Sequence, residues 1–480
     1  MTSSAAPQQR QLFGTDGIRG VAGEFPLTRE SVFLIGTALG RDLRENAQSG
    51  QTVRVVIGQD TRESSSWIAD RLTLGLASQG VEVHSAGILT TPGVAYLARS
   101  RGYSAGIVIS ASHNPWMDNG IKVFSGDGYK FPDGRELEVE KEIFALIRDK
   151  RPELTVSPAP PPSLPGEESL RREYIDWLAA GVSTDLSKLR VLVDCANGAA
   201  AAEAPDLFRK LGIPVTILHA SPTGKNINDG CGALHAATIA SALVERHAVE
   251  RHANERHAND KPENFDLGVT FDGDADRALF CDAEGRGVNG DAVLLLAARD
   301  MQGRGTLANA TVVATTMSNM GLEIALKRSG IRMLRANVGD KYVLEEMQRT
   351  GATLGGEQSG HILFRDGDAT TGDGLATALR VMEVIARSGR PLAELVADLK
   401  VFPQVIKNIR VREKTPFAQV RPIAQAIQQA EGSLNGNGRV VVRYSGTEAL
   451  ARVMVEAESE DTMKALADSI AGAIQTALGI

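Results

Sequence analysis

Residues Leu267–Arg277 read LGVTFDGDADR: a short apolar run, then Asp272, Asp274 and Asp276 at alternate positions. An apolar run of five that stops in a polar loop predicts a buried strand of an α/β sheet. Three carboxylates this close repel one another unless a cation sits between them. All-oxygen ligands suit magnesium, which keeps coordination places for phosphate oxygens. A calcium EF-hand does not fit, because Arg277 stands where its glycine belongs and Ala283 where its glutamate belongs.

The same grammar recurs outward from this segment. Val53–Ile57 leads into Gln59-Asp60-Thr61-Arg62 and a helical pattern after Ser64. Gly106–Ile109 leads into Ser110–Asn114. Leu189–Val193 leads into Asp194–Asn197, an alanine-rich helix and a strand near Ile213–Leu218. Thr311–Ala314 leads into Met317-Ser318-Asn319 and a helix from about Asn319 to Arg328. Strands alternating with helices predict an α/β fold with parallel or mixed sheets covered on both faces. Ligands of such sheets bind beyond the carboxyl ends of the strands, where these polar loops lie. The repetition points to three related α/β domains. Gln404–Val411 and Arg439–Tyr444 read as strands and Asp461–Ala477 as an amphipathic helix, a smaller C-terminal α+β domain. Arg151–Gly166 holds Pro152, Pro158, Pro160, Pro161, Pro162 and Pro165, which predicts a stiff linker. The expected domains are residues 1–160, 167–288, 289–398 and 402–480.

With 480 residues the chain needs three or four cores. A formal net charge of −7 and an aromatic content of 5% argue against a nucleic-acid partner. No apolar run approaches a membrane span, and Met1–Gln11 lacks the apolar core of a signal peptide, so a cytoplasmic protein is expected. Cys195, Cys231 and Cys281 are isolated, without C-x-x-C spacing, and read as reduced thiols. Glu245–Asp260 is a five-residue repeat, ERHAVERHANERHAND. Successive histidines His247, His252 and His257 fall roughly 140° apart on a helix, so a solvated surface insertion is expected rather than a metal site.

Four further motifs carry chemistry. In Ile109-Ser110-Ala111-Ser112-His113-Asn114-Pro115 small neighbours leave the Ser112 hydroxyl accessible, and Pro115 ends the strand. Glu357-Gln358-Ser359-Gly360-His361 follows two glycines; Glu357 and Ser359 suit sugar hydroxyls, and His361 suits proton transfer. Arg443-Tyr444-Ser445-Gly446-Thr447-Glu448 offers a guanidinium, hydroxyls and backbone amides for a phosphate, with Arg452 as a second guanidinium. The glycines of Phe13–Gly20, FGTDGIRG, permit a loop that would bring Arg19 inward. Gly285–Gly290 matches G-x-G-x-x-G but follows the strand Ala278–Cys281 as a turn, and a hairpin is expected there. Neither a P-loop nor a G-x-S-x-G elbow occurs.

Together these motifs resemble the α-D-phosphohexomutase superfamily, whose four signature loops occur here in family order: Ser110–Pro115, Asp272–Arg277, Gly356–His361 and Arg443–Glu448. FGTDGIRG, NIN with CGALH at Asn226–His235, TTMSNMG at Thr315–Gly321, GEQSGH with Gln358, and TTGDG at Thr370–Gly374 resemble the branch that acts on phosphorylated glucosamine. The resemblance implies four domains around a central cleft, the first three alike. It implies that Ser112 carries a phosphoryl group. One magnesium ion per chain would be held by a phosphoserine oxygen with Asp272, Asp274 and Asp276. Glu357 and Ser359 would grip sugar hydroxyls, while Arg443, Ser445, Gly446 and Thr447 hold the non-reacting phosphate. Glucosamine 6-phosphate and 1-phosphate would interconvert through a 1,6-bisphosphate that also serves as primer, supplying cell-wall precursors. Arg19 and Arg277 would stabilise the transferring group, and Lys122 and His361 would move protons. A neutral Lys122 requires nearby cations to depress its pKa. A homodimer is compatible with this reading. Ala449 replaces the usual proline after Glu448, and Asn337 and Lys341 replace the usual basic residue and arginine. A glucose- or mannose-phosphate mutase, a phosphosugar phosphatase and a non-catalytic phosphosugar-binding protein stand as alternatives.

Overall fold

The computed structural model describes residues 12–14, 16–149, 166–254, 264–365, 370–445 and 449–480, without the side chains of 248–254. The proline-rich linker, apart from Gly166, therefore lies outside the described residues, as do Gly446 and Thr447 of the expected phosphate loop. Two compact units emerge. One runs to Thr316 and includes Leu334–Val396; the other comprises Met317–Met333 and Ala397–Ile480.

Three sheets share one strand order. The first runs Asp118–Ser125, Ala105–Ile109, Arg54–Gln59, Glu82–Ile88, extended past Asp118–Ser125 by Gly17–Val21 and Phe13–Gly14. The second runs Ala278–Asp282, Leu267–Phe271, Val191–Asp194, Val215–Leu218, extended by Gly287–Val288. The third runs Ile362–Phe364, Leu354–Gly356, Thr311–Thr315, Arg332–Ala336. In each, the third strand in sequence lies parallel to the first, and the fourth turns back antiparallel to the third. The expected mixed sheets and the kinship of three domains are both present. Three singled-out loops thereby occupy one topological position. Ser110–Asn114, Asp272–Arg277 and Glu357–His361 each join the third strand to the fourth, at the carboxyl end of a parallel strand.

Burial explains why these segments are strands. Ala105–Ile109, Leu267–Phe271 and Thr311–Thr315 are buried at every residue, as central strands covered on both faces must be. Gly287–Val288 pairs antiparallel with Ala278–Asp282, so the G-x-G-x-x-G match is a hairpin as expected. The C-terminal sheet, Gln404–Arg410, Leu450–Ala457 and Gly438–Tyr444, is wholly antiparallel. Helices Arg421–Leu434 and Glu460–Leu478 contribute Ile423, Ala430, Ile470 and Ile474 to its core, alongside Val453 and Val455. Within that unit Asn319 caps helix Met320–Arg328, accepting from Gly321 N, and exchanges two hydrogen bonds with the backbone of Phe402.

The repeat needs a correction. Helix Ala236–Asn254 covers its first part, and His247 is buried, stacked on Phe265 and accepting from Phe265 N at 2.7 Å. A solvated insertion does not describe this histidine, because the helix turns it onto the sheet. The His252 side chain and His257 lie outside the described residues.

A buried polar knot ties the first three sheets' surroundings together. Glu203 accepts from Thr90 N at 2.7 Å and from Thr90 Oγ1 at 3.1 Å, and Tyr174 donates to Asp373 at 2.7 Å. Burial pushes the Glu203 carboxyl from 4.5 up to about 8, with the Asp373 charge adding to it against the Thr90 hydrogen bonds. A carboxyl pKa raised by folding contributes stability that is full below the unfolded pKa and lost as pH rises through the folded one. Glu203→Gln is therefore expected to flatten the fall in stability between about 4.5 and about 8, measured by urea unfolding at several pH values. A slope equal to wild type would show that Glu203 does not titrate there.

Candidate active site

Ser112 sits just past strand Ala105–Ile109, 1% exposed, with φ at 53°. A left-handed conformation at a serine costs of order 1–3 kcal/mol and persists only where its surroundings fix it. Here the Ser110 hydroxyl accepts from Ser112 N at 2.9 Å. The Ser112 carbonyl accepts from Asn228 Nδ2 at 2.9 Å and from the Arg62 guanidinium at 3.2 Å. Arg62 is itself buried against Asp60, and it donates to Asn114 O at 2.5 Å and Asp118 O at 2.8 Å. The loop Gln59–Arg62, noticed in the sequence without a role, is the brace of the Ser112 loop.

Ser112 Oγ donates to Asp272 Oδ2 at 2.5 Å, which places the serine on the aspartate loop. The two loops touch at Gly273, where a Cβ would lie 2.5 Å from the Ser112 carbonyl oxygen. Gly273→Ala is expected to push them apart, at a cost of about 1–3 kcal/mol. Misplacement of reacting groups by about 1 Å lowers turnover by about 10²-fold. Steady-state kinetics beside a thermal scan check both. Unchanged turnover would show that this approach is not needed.

Asp272, Asp274 and Asp276 are buried, and each offers an oxygen within 4.8 Å of the others. Asp274 Oδ1 and Asp276 Oδ1 are buried yet accept no hydrogen bond among the described residues. Burial, then the Asp276 and Asp274 charges, hold the Asp272 carboxyl well above its ordinary range. Buried, crowded carboxylates with two unsatisfied oxygens fit a hard divalent cation.

The surrounding cations are already partnered. Lys122 Nζ lies 2.7 Å from Asp274, 2.9 Å from Asp16 and 3.5 Å from Asp276. Burial alone would push the ammonium down, but the three carboxylates outweigh it and raise its pKa. The condition for a neutral Lys122 base is thus not met: its principal neighbours are anions. Lys130 bridges Asp16 and Asp340 at 2.6 Å each, and Arg19 pairs with Asp16. Arg277 lies 3.7 Å from Asp276 and reaches His113 Nδ1 at 3.3 Å, and Ser112 Oγ is 3.2 Å from the same nitrogen. Burial, then Arg277 and Arg19, push His113 down to about 4, so the imidazole beside the serine is neutral at physiological pH.

His361 is buried, with Nδ1 3.7 Å from Asp276 and Nε2 3.6 Å from Asp340. Burial lowers its pKa, but the Asp276, Asp340 and Glu357 charges more than offset this and raise it. Gly372 N donates to Nε2 at 3.1 Å, which leaves a proton of the neutral ring on Nδ1, toward Asp276. No side chain fits at Gly372, where a Cβ would stand 2.4 Å from Nε2. Glu357 and Ser359 are half-buried at the mouth of the third loop; Glu357 accepts from Gly339 N at 3.0 Å and from Ser359 Oγ at 3.3 Å. Lys341, one of the departures, pairs with Asp133.

In the C-terminal unit Arg443 and Arg452 stand directly opposite each other on paired antiparallel strands. Like charges so placed are unfavourable. Lys414 adds a third cation beside them, donating to Ser445 O at 2.7 Å, and Ser445 is buried. This positive edge suits an anion.

The structure thus brings Ser112, Asp272, Asp274, Asp276, Arg277, Lys122, Arg19 and His361 into one network with Glu357 and Ser359 beside it. Sequence reading missed His113, Arg62, Asn228, Asp16, Lys130 and Asp340 as members, and within the C-terminal unit it missed Lys414. Asp16 lies inside FGTDGIRG and Asp340 beside Asn337 and Lys341, so both had a signal; Lys130 had none.

Comparison with known proteins agrees with this arrangement. Family models of the phosphoglucomutase/phosphomannomutase alpha/beta/alpha domains I, II and III match residues 10–149, 172–285 and 289–402, and the C-terminal domain matches 406–473. A phosphoglucosamine mutase of Koribacter versatilis is 61% identical over 98% of this chain and 98% of its own. One from Solibacter usitatus is 49% identical over 98% of this chain and 99% of its own. The fold matches a solved phosphoglucomutase/phosphomannomutase family protein from Burkholderia thailandensis, with a TM-score of 0.76 and 22% identity over 98% and 99% of the two chains. Four matched domains and identity this high along nearly the whole length leave one assignment: the chain belongs to the phosphoglucosamine mutase family of the α-D-phosphohexomutase superfamily.

Proposed function

We propose that this chain interconverts glucosamine 6-phosphate and glucosamine 1-phosphate through phospho-Ser112. The observation that carries the reading is the Ser112 hydroxyl held 2.5 Å from Asp272, at the edge of three buried carboxylates. Asp272, Asp274 and Asp276 would hold magnesium together with an oxygen of phospho-Ser112. The ion, when bound, neutralises charge on the transferring phosphoryl group. The rest is done by side chains. The P–Oγ bond of phospho-Ser112 breaks as a P–O bond forms to the free sugar hydroxyl, whose proton leaves to a base. The 1,6-bisphosphate then presents its other phosphate to Ser112, and the reverse transfer releases the isomer. A trace of this bisphosphate would prime the unphosphorylated enzyme.

Arg277 and Arg19 stabilise the transferring group. Lys122, held protonated, serves as a third cation there rather than as a base. His361 and the neutral His113 are the proton-carrying groups. Glu357 and Ser359 take sugar hydroxyls. Arg443, Arg452, Ser445, Gly446 and Thr447 cradle the non-reacting phosphate. In this reading residues 1–160 supply the phosphoserine, 167–288 the metal loop, 289–398 the sugar loop and 402–480 the phosphate cradle. No helix among the described residues is long and apolar enough to cross a membrane, which accords with a cytoplasmic supplier of amino-sugar precursors for the cell wall. A coupled assay with glucosamine 6-phosphate and glucose 6-phosphate, each with magnesium and a trace of bisphosphate, tests the reading. Strong preference for the amino sugar is expected. Equal or greater turnover of glucose 6-phosphate would overturn the substrate assignment.

A further inference from the structure

A second ligand set lies behind the Ser112 loop. Asp194 ends strand Val191–Asp194, His219 follows strand Val215–Leu218, and Cys231 comes from the loop beyond. Each offers an oxygen, nitrogen or sulfur within 4.8 Å of the other two. His219 Nδ1 lies 3.0 Å from Asp194 Oδ1, but the atom is buried and makes no aligned hydrogen bond among the described residues. The Asp194 oxygens already accept Ala196 N at 2.8 Å and Gly232 N at 2.9 Å. Cys231 Sγ accepts from Asn197 Nδ2 at the long distance of 3.9 Å, and the Asn228 backbone also reaches it. A plain Asp–His ion pair explains neither the misaligned imidazole nor the thiol beside it.

The cluster is held in place by its backbone. His219 has φ at 48°, and its carbonyl accepts from Asn197 N at 2.6 Å. Both amides on Asp194 fix the carboxylate, and the Gly232 amide tethers the residue next to Cys231. One carboxylate, one imidazole and one thiol make a borderline-soft set, suited to zinc and poorly suited to magnesium. The aspartate loop is all oxygen, so ligand chemistry separates the two sites. We propose that Asp194, His219 and Cys231 form a three-ligand site for zinc or a similar soft divalent ion, distinct from the Asp272–Asp276 site.

The site touches the Ser112 loop through one residue. Asn228 N donates to Ala196 O at 2.9 Å, and Asn228 Nδ2 donates to Ser112 O at the same distance. An ion on Asp194 and Cys231 therefore stiffens the loop that carries Asn228, and with it the platform under Ser112.

Cobalt is the probe, because only a thiolate ligand gives sulfur-to-cobalt charge transfer in the near ultraviolet. The metal-stripped full chain is titrated with Co²⁺ in excess Mg²⁺. The expected result is a charge-transfer band saturating at about one equivalent, displaced by Zn²⁺ and retained in Asp274→Asn. The band should be lost in Cys231→Ser and in His219→Ala, which leaves the thiol in place if the first variant folds poorly. Zinc should raise the melting temperature of wild type and not of His219→Ala. Absence of the band in wild type overturns the proposal. So does its survival in folded Cys231→Ser, or its loss in Asp274→Asn.

Discussion

Ser112→Ala is expected to abolish mutase turnover, by about 10⁴-fold or more, as removal of a covalent nucleophile does. The geometry gives the reason. Ser112 Oγ is the only atom the substitution removes, and it is the atom that faces Asp272 at 2.5 Å and His113 at 3.2 Å. Alanine keeps the left-handed φ of 53° and the carbonyl on which Arg62 and Asn228 converge. Folding should therefore change by only about 1 kcal/mol, the worth of one hydrogen bond. The same variant should lose the phosphate that intact-mass measurement finds on the enzyme after incubation with a sugar bisphosphate. Activity within tenfold of wild type in a folded variant would remove Ser112 from the reaction. A phosphosugar-binding protein would keep its cellular role after the substitution. A phosphatase acting through phospho-Ser112 would also lose activity, and it is told apart in the unsubstituted enzyme, which would release inorganic phosphate without isomerising the sugar.

What the sequence made legible is what lies contiguous in it. The loops Ser110–Asn114, Asp272–Arg277 and Glu357–His361 are each written in a few adjacent residues at a strand end, and a strand end is where an α/β sheet builds its site. The recurring strand–loop–helix pattern gave the fold class for the same reason, since buried strands announce themselves by composition. Lys122 was legible as a site residue but its state was not. Its charge environment comes from Asp16, Asp274 and Asp276, which the topology alone brings within 2.7–3.5 Å. Lys130 was illegible because it is a lone residue whose partner, Asp340, lies far along the chain; Asn228 stood inside the quoted NIN, but its role was illegible because its partner is the distant Ser112 carbonyl. His247 misled through the regularity of its repeat, whereas its burial depends on Phe265, which lies past the repeat. The Asp194–His219–Cys231 cluster had no single motif: Asp194 and Cys231 stood in separately quoted segments and His219 in none, because its members come from three separate strand ends and loops.

Asp272→Asn is expected to move activity and stability in opposite directions. Turnover should fall by about 10³-fold or more, the scale on which phosphoryl-transfer enzymes depend on charge neutralisation at the transferring group. Stability of the metal-free protein should rise at neutral pH. Burial and the neighbouring Asp276 and Asp274 charges raise the Asp272 carboxyl pKa on folding. A raised carboxyl pKa means that stability from this group is full below its unfolded pKa and is lost as pH climbs through the folded value. At neutral pH the ionised wild-type group therefore works against the fold, and a neutral amide does not. Arg277 N donates to Asp272 Oδ1 and Ser112 Oγ to Oδ2; in asparagine the amide oxygen can take the first place, and the amide NH2 in the second donates to Ser112 Oγ, whose hydroxyl rotates to accept. Thermal scans in a chelator should thus show the variant melting above wild type, with a flatter dependence on pH. Added Mg²⁺ should reverse the order, because binding to the native state stabilises wild type by mass action and the variant binds the ion poorly. If instead the variant melts below wild type in chelator and still gains stability from Mg²⁺, the three carboxylates hold the fold together by some other means, and the ion binds elsewhere.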